Sequence, residues 1–207
     1  LAASHGAARD VALGNLLGSK VTRMGFAGVA YEEAVHGMLE DSRPMSLLLK
    51  RIDPPRAPQV KGAVLVSLAV TQAPRFNAVT DITLPTGDAT VYWRPIDDNC
   101  PCIDGMIVQR RGPLLRVFLV QVTLAKHHPP SAEHMHALLT HLAKLGVANV
   151  SMLWVVDGQQ QLATFQPLDV SKLKAKKTIP GLQKKWLAVP QFVLCLDVLA
   201  TWCSCVV

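Results

Sequence analysis

At Pro129-Pro130 the hydrophobic period of the chain changes. Beyond it Met135, Leu138, Leu139, Leu142 and Leu145 fall three or four apart, with Ser131 placed to cap the start and Gly146 the end, so the spacing predicts an amphipathic helix. Val150 to Val156 then follows as a nearly continuous apolar run, the pattern of a strand covered on both faces. Ahead of the prolines lie shorter strand-like runs: Met45 to Ile52, Gly62 to Val70, Val79 to Leu84, Ala89 to Arg94, Ile103 to Gln109 and Leu114 to Thr123. Pro85-Thr86-Gly87-Asp88 and Arg110-Arg111-Gly112-Pro113 have turn composition and predict two hairpins. Hairpins first, then a helix, then an apolar strand give an α/β fold, a mixed sheet with helices against its faces.

The remaining elements fit around that frame. Val11, Ala12, Leu16 and Leu17 recur at helical spacing between Ala7 and Leu17, and Gly18-Ser19 closes the segment. A turn at Gly25 to Gly28 leads into a second helix, Ala30 to Leu39, with Tyr31, Val35, Met38 and Leu39 on one face, and Asp41-Ser42-Arg43-Pro44 ends it. Pro54, Pro55 and Pro58 keep the stretch before Gly62 out of any central strand. A last strand is expected near Gln191 to Leu196. With no internal repeat or long linker, the chain reads as one domain over 1–207 with its core at about 28–197. Its opening, Leu1-Ala2-Ala3-Ser4-His5, reads as a fragment of a larger protein.

Composition narrows the function. Half of the residues are hydrophobic and 17% are charged, which excludes disorder along most of the length. A chain of this size buries roughly 70% of its unfolded surface, so it needs no disulfides, and its five cysteines are read as reduced thiols. The formal charge of +6 favours an anionic partner. Only Leu187 to Val207 approaches membrane-spanning length, and Pro190, Gln191 and Asp197 interrupt it, so no membrane partner is expected.

Phosphodiester chemistry needs hard oxygen ligands that hold a cation beside a phosphate. Asp104 stands at the start of one strand, and Gln121 and Thr123, two residues apart on the next, share a face, so hairpin pairing would bring all three together. The plainer alternative makes Asp104 a turn residue beside Gly105, and Gln121 and Thr123 a sheet edge. Glu32 and Glu33, with His36 four residues after Glu32, likewise read as solvated helix surface unless something gathers them. His127, His128, His134, His136 and His141 are dense, but His134 and His141 lie roughly 10 Å apart by helix rise, too far to share one ion unaided. Lys172, Lys174, Lys176, Lys177, Lys184 and Lys185 concentrate charge just before Trp186, as either a solvated face or a phosphate-contacting and nuclear-import cluster.

Gly28-Val29-Ala30-Tyr31-Glu32 with His36 and Leu39, Val91-Tyr92-Trp93-Arg94-Pro95, Ile103-Asp104-Gly105 and Val120-Gln121-Val122-Thr123 with His127-His128 occur in an order that carries a resemblance. Leu153-Trp154-Val155-Val156, Trp186 and Val189 to Leu194 extend it. Together they resemble the nuclease-like C-terminal domain of the Crinkler and retrotransposon hot spot proteins. The resemblance implies a restriction-endonuclease-like fold with Glu32 as the helix acid, Asp104 as the central metal ligand for Mg²⁺, and Gln121 with Thr123 where active nucleases carry Glu-x-Lys. An amide binds metal more weakly than a carboxylate and threonine lacks the lysine charge, which Lys126, in the plainer reading a surface lysine, is placed three residues on to restore. It further implies DNA as partner, an upstream ATPase domain in the whole protein, and action in a nucleus, its own or a host's. The alternative is a catalytically inactive interaction or effector module that keeps the fold.

Overall fold

The computed structural model describes residues 20–54, 62–96, 100, 102–125, 129–157, 165–169 and 181–196. The expected helix at 7–17, Lys126, His127, His128, Lys172, Lys174, Lys176, Lys177 and the tail beyond Leu196 lie outside these residues. Helix α1 (Lys20–Glu40) is followed by strands β1 (Met45–Ile52), β2 (Ala63–Leu68), β3 (Arg75–Phe76), β4 (Ala89–Pro95), β5 (Gly105–Arg111) and β6 (Leu114–Val122). Helix α2 (Ala132–Lys144), β7 (Val150–Asp157), α3 (Leu182–Leu187) and β8 (Gln191–Leu196) complete it.

All eight strands join one mixed sheet in the order β2-β1-β8-β7-β6-β5-β4-β3. The α/β class read from the change of period is therefore the observed one. β4, β5 and β6 form an antiparallel meander, and β6, β7 and β8 run parallel. The link from β6 to β7 must cross over, and α2 is that crossover. The β5–β6 turn is only Gly112-Pro113, with Arg111 paired to Leu114 and Gly112 at φ 53°. A positive φ at the first central position is what a tight primed hairpin turn requires and what glycine adopts without strain.

The pleat sorts side chains onto two cores. Trp93, Met106, Val108, Val117, Leu119, Met152, Trp154 and Val193 face α2 and α3, whose Met135, Leu138, Leu142, Leu182 and Trp186 bury against them. The alternate positions Tyr92, Ile107, Phe118, Val120, Leu153, Val155 and Leu194 face the other way, with Val35 and Leu39 of α1. β7 is buried along most of its length on both faces, as its unbroken apolar run requires. At the far edge β1 and β2 alternate instead: Leu47 and Leu49 are buried, while Leu48, opposite Leu65, is exposed.

Two expectations are corrected. Gly25 to Gly28 is not a turn; α1 runs through it from Lys20. Each glycine costs a helix about 1 kcal/mol, which burial of Val35 and Leu39 further along the same helix offsets. Val79 to Leu84 is not a strand paired to β4. The Asp81 carboxylate accepts hydrogen bonds from the Asn77 and Ala78 amides and winds Val79–Asp81 into a 3₁₀ turn. The edge beside β4 is taken by β3, in parallel.

Candidate functional site

Asp104 immediately precedes β5, and its amide donates to the Val120 carbonyl at 2.9 Å, so it continues the antiparallel pairing with β6. Its side chain reaches one step further along the partner strand. Oδ2 accepts from Gln121 Nε2 at 2.6 Å and from the Val122 amide at 2.7 Å. The hairpin thus fixes the carboxylate by one backbone and one side-chain donor. Burial and then the negative charge of Glu32 push the Asp104 carboxyl up to about 8, although the bonds from Val122 and Gln121 favour its ionised form. Glu32, far earlier in the chain on α1, therefore lies close enough for its charge to be felt at the hairpin mouth.

Thr123 takes another part. Its amide donates to the Val155 carbonyl and its hydroxyl accepts from the Ala125 amide at 3.0 Å, so it ends β6 and shapes the following turn. The structure brings Glu32, Asp104 and Gln121 to one end of the sheet and leaves the Thr123 hydroxyl occupied locally. Glu33, the next residue round the helix, turns away to Arg94 of β4. That guanidinium, helped by the charges of His36 and Arg75 and against the effect of burial, holds the Glu33 carboxyl below its ordinary value.

His36 is not on a solvated surface. It is fully buried, with Nδ1 2.5 Å from the Tyr92 hydroxyl and Nε2 3.4 Å from Glu32 Oε1. Tyr92 reaches it by lying over Gly105, where a Cβ would come within 2.7 Å of Tyr92 Cζ. Only glycine after Asp104 leaves room for that ring. Residue chemistry alone passes over Tyr92 and Gly105, since a tyrosine in an apolar strand reads as core. The signal that points to them is a glycine placed directly after a carboxylate at a strand start.

Beside Asp104, Cys102 and Cys100 are free thiols that share a hydrogen bond, which makes Cys100 the more acidic of the two and, with burial, holds the Cys102 thiol protonated. Two histidines of α2 are engaged singly: His134 Nδ1 lies 2.9 Å from Ser131 Oγ, and His141 Nε2 donates to the Ile82 carbonyl at 3.1 Å. Lys184 and Lys185 are exposed on α3, near the N-terminal ends of β7 and β8, whereas Asp104 stands by the C-terminal end of β6. Trp186 is wholly buried and donates its indole N–H to the Gln166 carbonyl, so it anchors α3 instead of offering a stacking surface. A cavity of about 610 Å³ adjoins Lys185, lined also by His136, Thr140 and Asn149, and lies at that same remote end.

As a donor set, Glu32, Asp104 and the Gln121 amide oxygen are all hard oxygens. Among the described residues no group of three or more His, Cys, Asp or Glu side chains is placed to hold a metal ion. Mg²⁺ needs none, because it takes one or two carboxylates and keeps water or phosphate oxygens in its other positions. A carboxyl whose ionisation is disfavoured by burial and by a neighbouring negative charge, as that of Asp104 is, is also one that a divalent cation would relieve. By donor type the set suits Mg²⁺ better than structural zinc. Among the described residues no helix is long and apolar enough to cross a membrane. No family model matches the chain, and neither a curated protein nor a solved structure does.

Proposed function

We propose that this chain is a restriction-endonuclease-like domain of Crinkler or retrotransposon-hot-spot type that binds DNA and cleaves it with Mg²⁺. The observation that carries the reading is the convergence of two acids from separate elements on one end of the sheet: Asp104, braced at the hairpin mouth by Gln121 and Val122, and Glu32, linked through His36 and Tyr92 to Gly105 beside it. Glu32, Asp104 and the Gln121 carbonyl oxygen would hold the ion. Bound there, Mg²⁺ supplies the positive charge that a phosphodiester needs at its reacting oxygens. The chain's own part is to fix the Asp104 carboxylate and to exclude bulk water around it. Lys126 belongs to the same reading as a source of positive charge just past β6, as do the six lysines between Lys172 and Lys185 as partners of the DNA backbone. An upstream ATPase domain and a nuclear site of action complete it.

A second reading, an inactive interaction or effector module, is favoured by one specific observation. Gln121 spends its amide donor on Asp104 and Thr123 its hydroxyl on a turn, so neither occupies the role of a second carboxylate or a lysine. The two readings separate on purified protein incubated with plasmid and single-stranded DNA in Mg²⁺, beside Asp104→Ala. The nuclease reading expects degradation that needs Mg²⁺ and disappears in the variant. Degradation that persists in Asp104→Ala overturns the site, and a wild-type protein that neither takes up the metal nor cuts leaves the module reading.

A further inference from the structure

We infer that His36 and Tyr92 are positioning residues that set the Glu32 carboxylate for the metal, an inference that rests on the nuclease reading above. Glu32 stands on a helix, 30% of its side chain exposed, and an exposed glutamate has several rotamers open to it. What singles one out is a relay of hydrogen bonds that begins in the sheet. Tyr92 rises from β4, passes over Gly105 and presents its hydroxyl to His36 Nδ1 at 2.5 Å. The other ring nitrogen, Nε2, faces Glu32 Oε1 at 3.4 Å.

The chemistry of the three groups fixes the direction of each bond. Burial, then the charge of Asp104, hold the Tyr92 phenol well above its ordinary value, so it keeps its proton and donates it to Nδ1. An imidazole that accepts at Nδ1 carries its hydrogen on Nε2. That N–H is then aimed at a carboxylate, the one acceptor that gains most from it. Through the imidazole the relay ties the helix acid to the same strand pair that holds Asp104. A buried histidine with both nitrogens engaged between a tyrosine and an acid is more than a filler of core volume. Gly105 completes the arrangement, because a side chain there would push the Tyr92 ring off the hairpin and break the relay at its base.

Partners that orient metal ligands in this way typically carry 10- to 100-fold of metal affinity. The test is Mn²⁺ affinity of the whole chain, read by the loss of the free-ion paramagnetic resonance signal, in Tyr92→Phe, His36→Gln, the double variant and the same changes in a Glu32→Gln background. Tyr92→Phe removes one oxygen atom and keeps the ring, and His36→Gln keeps a nitrogen near the Nε2 position. Each should weaken Mn²⁺ about tenfold, and the double variant should be no weaker than either, because both cut one relay. With Glu32→Gln already present, Tyr92→Phe should change nothing. A merely structural role predicts otherwise: effects that multiply, or a Tyr92→Phe penalty that persists without Glu32. Either result, or variants that bind within twofold of wild type, overturns the inference alone. Wild-type protein that binds no Mn²⁺ overturns the nuclease reading, and this one with it. Circular dichroism of each variant guards against unfolding; if His36→Gln does not fold, the Tyr92→Phe comparison with and without Glu32 decides.

Discussion

Replacing Asp104 with asparagine should make the protein more stable at alkaline pH while removing a ligand of the proposed metal site. In the folded chain the Asp104 carboxyl is held up to about 8, against 3.8 for an ordinary aspartate, by burial and by Glu32. Between those two values the native state holds a proton that the unfolded chain has released. Stability therefore falls as pH rises through that window, is unaffected below about 4, and stays at its lowered level above about 8. Each pH step in the window is worth about 1.4 kcal/mol at the limit. Water access and the relaxed interior, which screens like a medium of dielectric near 20, reduce the whole effect to about 3 kcal/mol. Asparagine keeps an oxygen for the Val122 and Gln121 donors and has no charge to desolvate. In EDTA, Asp104→Asn should match wild type near pH 4, gain on it steadily to pH 8, and lead by about 6 to 12 °C in melting temperature above that. The difference between the two profiles cancels the titrating groups that do not interact with Asp104. Added Mg²⁺ should close the gap by stabilising only the wild type. Parallel profiles from pH 5 to 9, or an asparagine variant that is the less stable at pH 8.5, would refute the reasoning.

Two more predictions follow from the same geometry. Gly105→Ala should cost about 1–3 kcal/mol in urea unfolding, because the added Cβ meets the buried Tyr92 ring, whereas Gly28→Ala, with open space around it, should be neutral or mildly stabilising. Replacing Lys174, Lys176 and Lys177 with glutamine should flatten the salt dependence of DNA affinity by a log-log slope of about 0.9 for each phosphate that these lysines neutralise, measured by fluorescence anisotropy in EDTA; unchanged affinity and slope would leave the cluster a solvated face.

Local signals carried most of the sheet and little of the site's support. β1 and β8 begin and end where their apolar runs do, and α2 closes at Gly146, with φ 79° there, because periodicity and a glycine stop are properties of neighbouring residues; it also starts after Ser131, although that hydroxyl meets His134 and makes no capping bond. The adjacency of Asp104 and Gln121 was legible for the same reason: so short a turn cannot support a parallel crossover. The readings that failed were decided by partners at a distance or by a single side chain. Asp81 captures two amides and converts an apparent strand to a 3₁₀ turn. His36 meets Tyr92 across 56 residues, and Arg94 meets Glu33 across 61, so neither pairing leaves a trace in spacing. Glu33 is exposed as a helix-surface residue should be, but His36 is buried with Val35 and Leu39, and a lone histidine beside so short an apolar line reads as solvated surface.

The placement of β8 between β1 and β7 also has a consequence for how the molecule comes into being. The meander β4-β5-β6 and the β6-α2-β7 crossover join neighbours in sequence and can assemble as they emerge during synthesis. β1 has no such option. Its inner edge pairs with residues 191–193, at the far end of the described chain, so the hairpin of β1 and β2 must wait with that edge open until nearly all of those residues have been made. The last strand is thus a keystone: without it the sheet is two separate pieces, the β1–β2 hairpin and a remainder running from β7 to β3. A ribosome that stops short of β8 leaves an exposed row of β1 amides and carbonyls, the form of this protein most prone to pair with the wrong chain and most visible to a chaperone.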